Sequence, residues 1–154
     1  MKIRTATPDD IPFLFQLGHD SITAAHWTLE QYTNLFRDGA PAHRLVLLAE
    51  TEDVPLGFLV ALRIASEWEL ENIVVSTTER RKGIGARLLR ALIDAASQSA
   101  SESVFLEVRE SNLPARRCYE KAAFLQAGVR KGYYRDPPED AILYRLDIRK
   151  PIQT

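Results

Sequence analysis

Arg80-Arg81-Lys82-Gly83-Ile84-Gly85 gathers three cations and two glycines within six residues, a composition suited to holding an anion. Before it, Leu70-Glu71-Asn72-Ile73-Val74-Val75 reads as an apolar strand. After it, Ile84, Leu88, Leu92 and Ala95 recur at intervals of 4, 4 and 3, the period of an amphipathic helix. Glycines at a helix start remove side chains where the first N–H groups lack an intrahelical acceptor. Those N–H groups, the helix dipole and the neighbouring cations together favour a pyrophosphate. Two familiar phosphate patterns are excluded. Gly-x-x-x-x-Gly-Lys-Ser/Thr occurs nowhere in the chain, and Gly-x-Gly-x-x-Gly fails because Leu88 stands where the third glycine belongs. What remains, Arg-x-x-Gly-x-Gly, is also compatible with an ordinary helix start.

Two further residues could move protons. Glu107 lies in the strand-like run Val104-Phe105-Leu106-Glu107-Val108-Arg109, where a solvent-facing glutamate is the plain alternative to a general base. Tyr119 lies in a short helical segment, where a core aromatic with a satisfied hydroxyl is the alternative to a proton donor. Its neighbour Cys118 has no histidine nearby, so a nucleophile is rejected in favour of a small buried hydrophobe. His19, His26 and His43 show no metal-ligand spacing.

The elements that must position these groups follow from periodicity and punctuation. A first strand spans Lys2–Ala6 and stops at Thr7-Pro8. Asp9 or Asp10 caps a helix carrying Ile11, Leu14, Phe15 and Leu17 up to Gly18. Thr28 with Gln31 has the spacing of a capping box, opening a second helix. Arg44–Ala49, Leu56–Ile64 and Trp68–Val75 read as strands, followed by a helix over 84–99. A strand Val104–Arg109, a helix from Pro114 to Lys121, and strands Phe124–Arg130 and Ala141–Ile148 complete the chain. Adjacent strands suit antiparallel hairpins and the later alternation suits a parallel crossing, so the spacing predicts a mixed α/β sheet in one domain.

The chain has 154 residues, enough to bury a core without disulfides or metal. A net charge of −1 gives no global basic field for nucleic acid or an anionic membrane, whereas the local cations suit a small phosphorylated ligand. No signal peptide or membrane span is expected, and one cysteine fits a reducing cytoplasm.

Several strings occur together in a fixed order: Asn72-Ile73-Val74-Val75, Arg80 to Gly85, Leu106-Glu107-Val108-Arg109-Glu110-Ser111-Asn112, and Cys118-Tyr119-Glu120-Lys121. They continue with Tyr133-Tyr134 and Glu139-Asp140-Ala141-Ile142. This series resembles the GNAT superfamily, the Gcn5-related N-acetyltransferases. Within it the closest likeness is to the RimI-like group, bacterial ribosomal-protein-alanine N-acetyltransferases. The likeness covers residues 68–148, with a thinner echo at His26-Trp27-Thr28.

The resemblance implies one GNAT domain over residues 1–154, a mixed, mostly antiparallel sheet of about seven strands flanked by about four helices. It implies acetyl-CoA as donor, no metal, and transfer to an amine in a ternary complex. By the same carry-over, the main chain of Ile73, Val74 and Val75 would meet the pantetheine arm and the thioester. Arg81, Lys82, Gly83, Ile84, Gly85 and Ala86 would wrap the pyrophosphate, and Asn112 would bind the pantetheine arm. Glu107 would be the general base and Tyr119 the acid for the departing thiolate. Tyr133 and Tyr134, between the last two strands, would form an acceptor groove faced by Trp27, Tyr32, Trp68 and Glu69; ordinary cross-strand aromatics are the alternative.

The acceptor implied is the N-terminal α-amine of a protein, plausibly ribosomal. A small amine engaging Glu67, Glu69 and Glu71 is the competing substrate, and a non-catalytic acyl-CoA-binding module is a third possibility. A monomer or weak dimer is expected, without nucleic acid or membrane. One departure stands out: the family's short helix ends in Leu-Gly-Phe, whereas this chain has Ala122-Ala123-Phe124, so Ala123 must strain or the helix must end differently.

Overall fold

A computed structural model describes residues 1–21, 25–37 and 43–148. Strand β1 (Lys2–Thr5) leads into α1 (Ile11–Asp20) and α2 (Leu29–Asn34). Strands β2 (Arg44–Thr51), β3 (Val54–Ile64) and β4 (Glu67–Val75) follow, then α3 (Ile84–Gln98). Strand β5 (Ser103–Arg109), α4 (Leu113–Lys121), β6 (Leu125–Arg135) and β7 (Pro138–Asp147) end the described chain. The capping box at α2 forms as its spacing predicts: Thr28 N donates to Gln31 Oε1 at 2.7 Å, and Gln31 N to Thr28 Oγ1 at 3.2 Å. Asp10 precedes α1 but does not cap it. Its carboxylate instead accepts from Thr7 N at 2.8 Å and binds both terminal nitrogens of Arg4.

The sheet runs β1-β2-β3-β4-β5-β7-β6, antiparallel everywhere except between β4 and β5. A parallel neighbour requires a crossover, and α3 supplies it. The two parallel strands share only Glu67↔Ser103, Trp68↔Val104 and Glu69↔Phe105, and then part. Just past that point β4 carries an extra residue. Ala61 pairs with Leu70 and Val60 with Asn72, leaving Glu71 as a bulge. A bulge bends its strand and sharpens the twist.

The bulge also exchanges the two faces of β4. Before it, Trp68 and Leu70 pack with Leu88, Leu89 and Leu92 of α3. After it, Ile73 and Val75 take that side, while Val74 joins Leu14, Tyr32 and Phe58 under α1 and α2. Trp68, Leu70, Ile73 and Val75 therefore lie on the α3 side, and Val74 on the other. Trp68 consequently sits in the α3 core, its indole N–H donating to Ser101 Oγ at 3.0 Å, and does not face Tyr133 and Tyr134. The expectation of an acceptor-groove tryptophan is corrected here. Strict alternation marks a residue as inward or outward but cannot say which of two covered faces it takes.

One further boundary differs from that expected, and one expected irregularity is resolved. Strand β6 extends to Arg135, so Tyr133 and Tyr134 belong to the strand rather than to the connection after it. They lie where its register against β7 shifts, between Arg130 and Tyr134. At the end of α4, Ala123 adopts φ +73°, the left-handed value that glycine holds most easily. Phe124 N bonds Tyr119 O at 3.0 Å and Ala123 N bonds Glu120 O at 3.0 Å, the paired bonds of a Schellman close. The helix keeps the usual ending and accepts the strain.

Two stability measurements follow. Ala123→Gly relieves that strain and raises the urea unfolding free energy by about 1 kcal/mol. Trp68→Phe removes a buried donor and part of the ring, and lowers it by about 1–2 kcal/mol. An unchanged midpoint in the second variant would contradict the core placement of Trp68.

Candidate active site

The anion-binding end is built by backbone. Arg81 has φ +67° and Gly83 φ +79°, so the chain turns twice through left-handed conformations before entering α3. A non-glycine residue held there stores strain, a feature concentrated at functional loops. The first helical bond runs from Arg87 N to Gly83 O at 3.0 Å, so the N–H groups of Ile84, Gly85 and Ala86 precede any intrahelical acceptor. A Cβ on Gly83 would meet nothing within 4 Å, and one on Gly85 only Val75 Cγ2 at 3.6 Å. Packing therefore does not demand glycine at 85. Space in front of the helix start does, if an anion is to approach the backbone closely. Among the cations, Lys82 pairs with Glu79 at 3.0 Å and Arg80 donates to Ser21 Oγ at 3.3 Å, while Arg81 and Arg87 stay exposed.

From this loop the cleft between β4 and β5 leads inward. Beyond Glu69, β4 pairs with β3 alone, so the backbone groups of Ile73 and Val75 on its other edge border the cleft. Glu107 alternates with Leu106 and Val108, which are buried against the α3 core, and so faces the opposite side of the sheet. Its Oε1 lies 2.9 Å from Arg130 Nε, and the side chain is 18% exposed. A cavity of about 190 Å³ adjoins it, lined by Glu67, Phe105, Glu107, Arg130, Leu143 and Arg145.

Tyr133 and Tyr134 stand over this region, their rings 5.1 Å apart edge to face. The Glu107 charge, then burial, pushes the Tyr133 phenol up. Burial, then Glu107, does the same to Tyr134. The guanidinium of Arg109 lies 4.2 Å from the Tyr134 ring centre and donates to Pro137 O at 3.0 Å, tying the tyrosine to the β6–β7 turn. Glu69 belongs to the same cluster: burial and then the Glu107 charge push its carboxyl above the usual range.

Tyr119 approaches from the other side. It is 6% exposed in the α3 core, against Phe124 and Tyr144, and burial pushes its phenol up so that it keeps its proton. Asn112 caps α4, its Oδ1 accepting from Ala115 N at 3.3 Å, which commits the oxygen and leaves the amide N–H groups as donors. Burial also pushes the Cys118 thiol up, consistent with an inert thiol.

On the α1–α2 side, Trp27 packs against Tyr32 with ring centres 5.4 Å apart, and the Tyr32 hydroxyl accepts from Asn72 at 3.5 Å. Trp27 lines a second cavity, of about 350 Å³, with Gln31, Asn34, Leu35, Arg44 and Glu71. Tyr32 itself is buried beneath it as a support. Glu107, Glu69, Tyr133 and Tyr134 thus form one cluster across β4, β5 and β6, the loop stands at the end of β4 with Gly85 beside Val75, and Tyr119 lies near Tyr134. Sequence reasoning missed Arg130 and Arg109, because neither belongs to a local pattern and both act across strands distant in the chain.

Comparison with known proteins places the chain and its sheet in a family. The family model "Acetyltransferase (GNAT) family" matches residues 11–124. A Salmonella typhimurium ribosomal protein bS18-alanine N-acetyltransferase is 33% identical over 133 residues, covering 80% of this chain and 90% of that one. A Bacillus subtilis relative is 26% identical over 148 residues, covering 96% of each chain. The crystal structure of the ribosomal-protein-S18-alanine N-acetyltransferase from Escherichia coli superposes with a TM-score of 0.87 at 26% identity, over 99% of this chain and 96% of that one. With both the match along the sequence and the shared sheet on hand, the chain belongs to the acetyltransferase (GNAT) family and is an N-acetyltransferase.

Proposed function

We propose that this enzyme moves the acetyl group of acetyl-CoA onto the N-terminal α-amine of a protein, a ribosomal protein being the acceptor named for its relatives. What supports the proposal is a backbone anion loop at the end of β4, a β4 edge left without a β5 partner beyond Glu69, and the Glu107–Tyr133–Tyr134 cluster. The N–H groups of residues 84–86 hold the pyrophosphate, aided by the helix dipole and by Arg81 and Lys82. The Asn112 amide and the main chain of Ile73 to Val75 hold the pantetheine arm, and Val75 N–H polarises the thioester carbonyl.

Chemistry then needs the ammonium to lose two protons and the departing sulfur to gain one. An α-ammonium cannot attack a thioester, and with an ordinary pKa of about 7.7–8.0 it is largely charged at neutral pH. Glu107 takes its proton. The freed amine attacks the carbonyl carbon, the C–N bond forms, and the C–S bond breaks as the tetrahedral intermediate collapses. Tyr119, kept protonated by burial, donates to the departing sulfur and is restored by the surplus proton of the newly bonded nitrogen. Trp27, Tyr133 and Tyr134 border the path of the acceptor's first residues, with Glu69 beside the ammonium.

A polyamine or aminoglycoside fits less well. Of the three acids it would engage, Glu67 is bonded to Ser103 and Arg145, and Glu71 lies 2.6 Å from Arg44, which leaves only Glu69.

Steady-state kinetics with acetyl-CoA and an alanine-initiated peptide test these roles. Glu107→Gln lowers kcat by about 100-fold or more while calorimetry finds acetyl-CoA binding intact. Tyr119→Phe lowers kcat by at least about tenfold. A wild-type kcat in either variant removes that residue from its role.

A further inference from the structure

Two carboxylates, Glu69 and Glu107, stand on one sheet face at the mouth of the cleft, and their surroundings differ. Glu69 is the last residue in the register shared by β4 and β5, opposite Phe105, and Glu107 lies two residues further along β5 on the same face. Glu69 feels the charges of Glu107, Arg130 and Arg44 but is hydrogen-bonded to none of them. Glu107 is the one that Arg130 contacts. The other charged groups of this face are already committed, Glu67 to Arg145 and Glu71 to Arg44.

Arg130 reaches Glu107 by an indirect route. It belongs to β6, opposite Ala141 of β7, so its side chain spans β7 to meet β5. It also begins the stretch where β6 loses register, and its guanidinium lies 5.7 Å from the Tyr133 ring centre. A bulged edge strand is a common means of re-aiming a side chain beside a reaction site. Folding stability does not account for the pair: the Arg130 side chain is 61% exposed, and ion pairs at that exposure add little.

We propose that Arg130 is a positioning residue for acetyl transfer: reaching from β6, it holds the Glu107 carboxylate in place and offsets the charge of Glu69, so that two carboxylates can face one incoming ammonium. The proposal rests on Glu107 as the base. Without Arg130 the two carboxylates repel each other, and Glu107 loses the contact that holds it in place. Lysine would keep the charge but lose the planar fork.

The test is a kinetic series with acetyl-CoA and an alanine-initiated peptide, each variant checked for an unchanged melting midpoint. Arg130→Gln is expected to lower kcat about tenfold with the acetyl-CoA KM unmoved, and Arg130→Lys to lower it less than threefold. In a Glu107→Gln background, Arg130→Gln should cost nothing further, because a residue acting through Glu107 has nothing left to position. A kcat within twofold of wild type, an equal loss in the glutamine and lysine variants, or a loss that persists in the Glu107→Gln background would overturn the proposal. Full activity in Glu107→Gln alone would instead overturn the assignment of the base, so the two failures are told apart.

Discussion

Everything in this site depends on two parallel strands that pair for three residues and then separate. Parallel pairing at Glu67, Trp68 and Glu69 fixes β4 and β5 side by side. The Glu71 bulge then bends β4 away while β5 stays in the sheet through seven register pairs with β7. The opening exposes strand edges whose polar backbone groups need partners, and on the proposed reading the amides of the pantetheine arm would satisfy them. It also points the end of β4 at the start of α3, so the anion loop and the cleft form one continuous path.

Electrostatics divides the cleft into distinct regions. At the α3 end, unpaired N–H groups, the helix dipole and exposed arginines favour phosphate. At the opposite face, Glu69 and Glu107 place two carboxylates together, Glu107 in contact with Arg130, and on the proposed reading they would receive an ammonium. Between them the phenol of Tyr119 keeps its proton because the apolar core around it disfavours a phenolate. On the proposed reading, an anionic donor and a cationic acceptor would therefore approach from different sides.

Much of this is legible in the sequence, for identifiable reasons. The loop and α3 are contiguous, so glycine placement and a 3.6-residue period are enough to find them. Capping at Thr28 is equally local and forms as expected. Alternation shows that Trp68 points away from solvent but not that its side is the α3 core rather than the groove. Tyr133 and Tyr134 read as a connection because the irregular register of β6 hides the strand's full length. Arg130 left no signal, since its contact with Glu107 crosses an intervening strand contributed from later in the chain. Ala123 is the instructive opposite case: a single residue type foretold local strain, and φ +73° is where that strain resides.

The most direct test of the central claim is mass-spectrometric detection of acetyl transfer from acetyl-CoA across a panel of amines. The panel pairs peptides bearing free and blocked N-termini, with and without lysine, with common polyamines and amino acids. Acetylation confined to free N-termini and abolished by blocking is the predicted result. Acetylation of the small amines alone would contradict the protein N-terminus as acceptor.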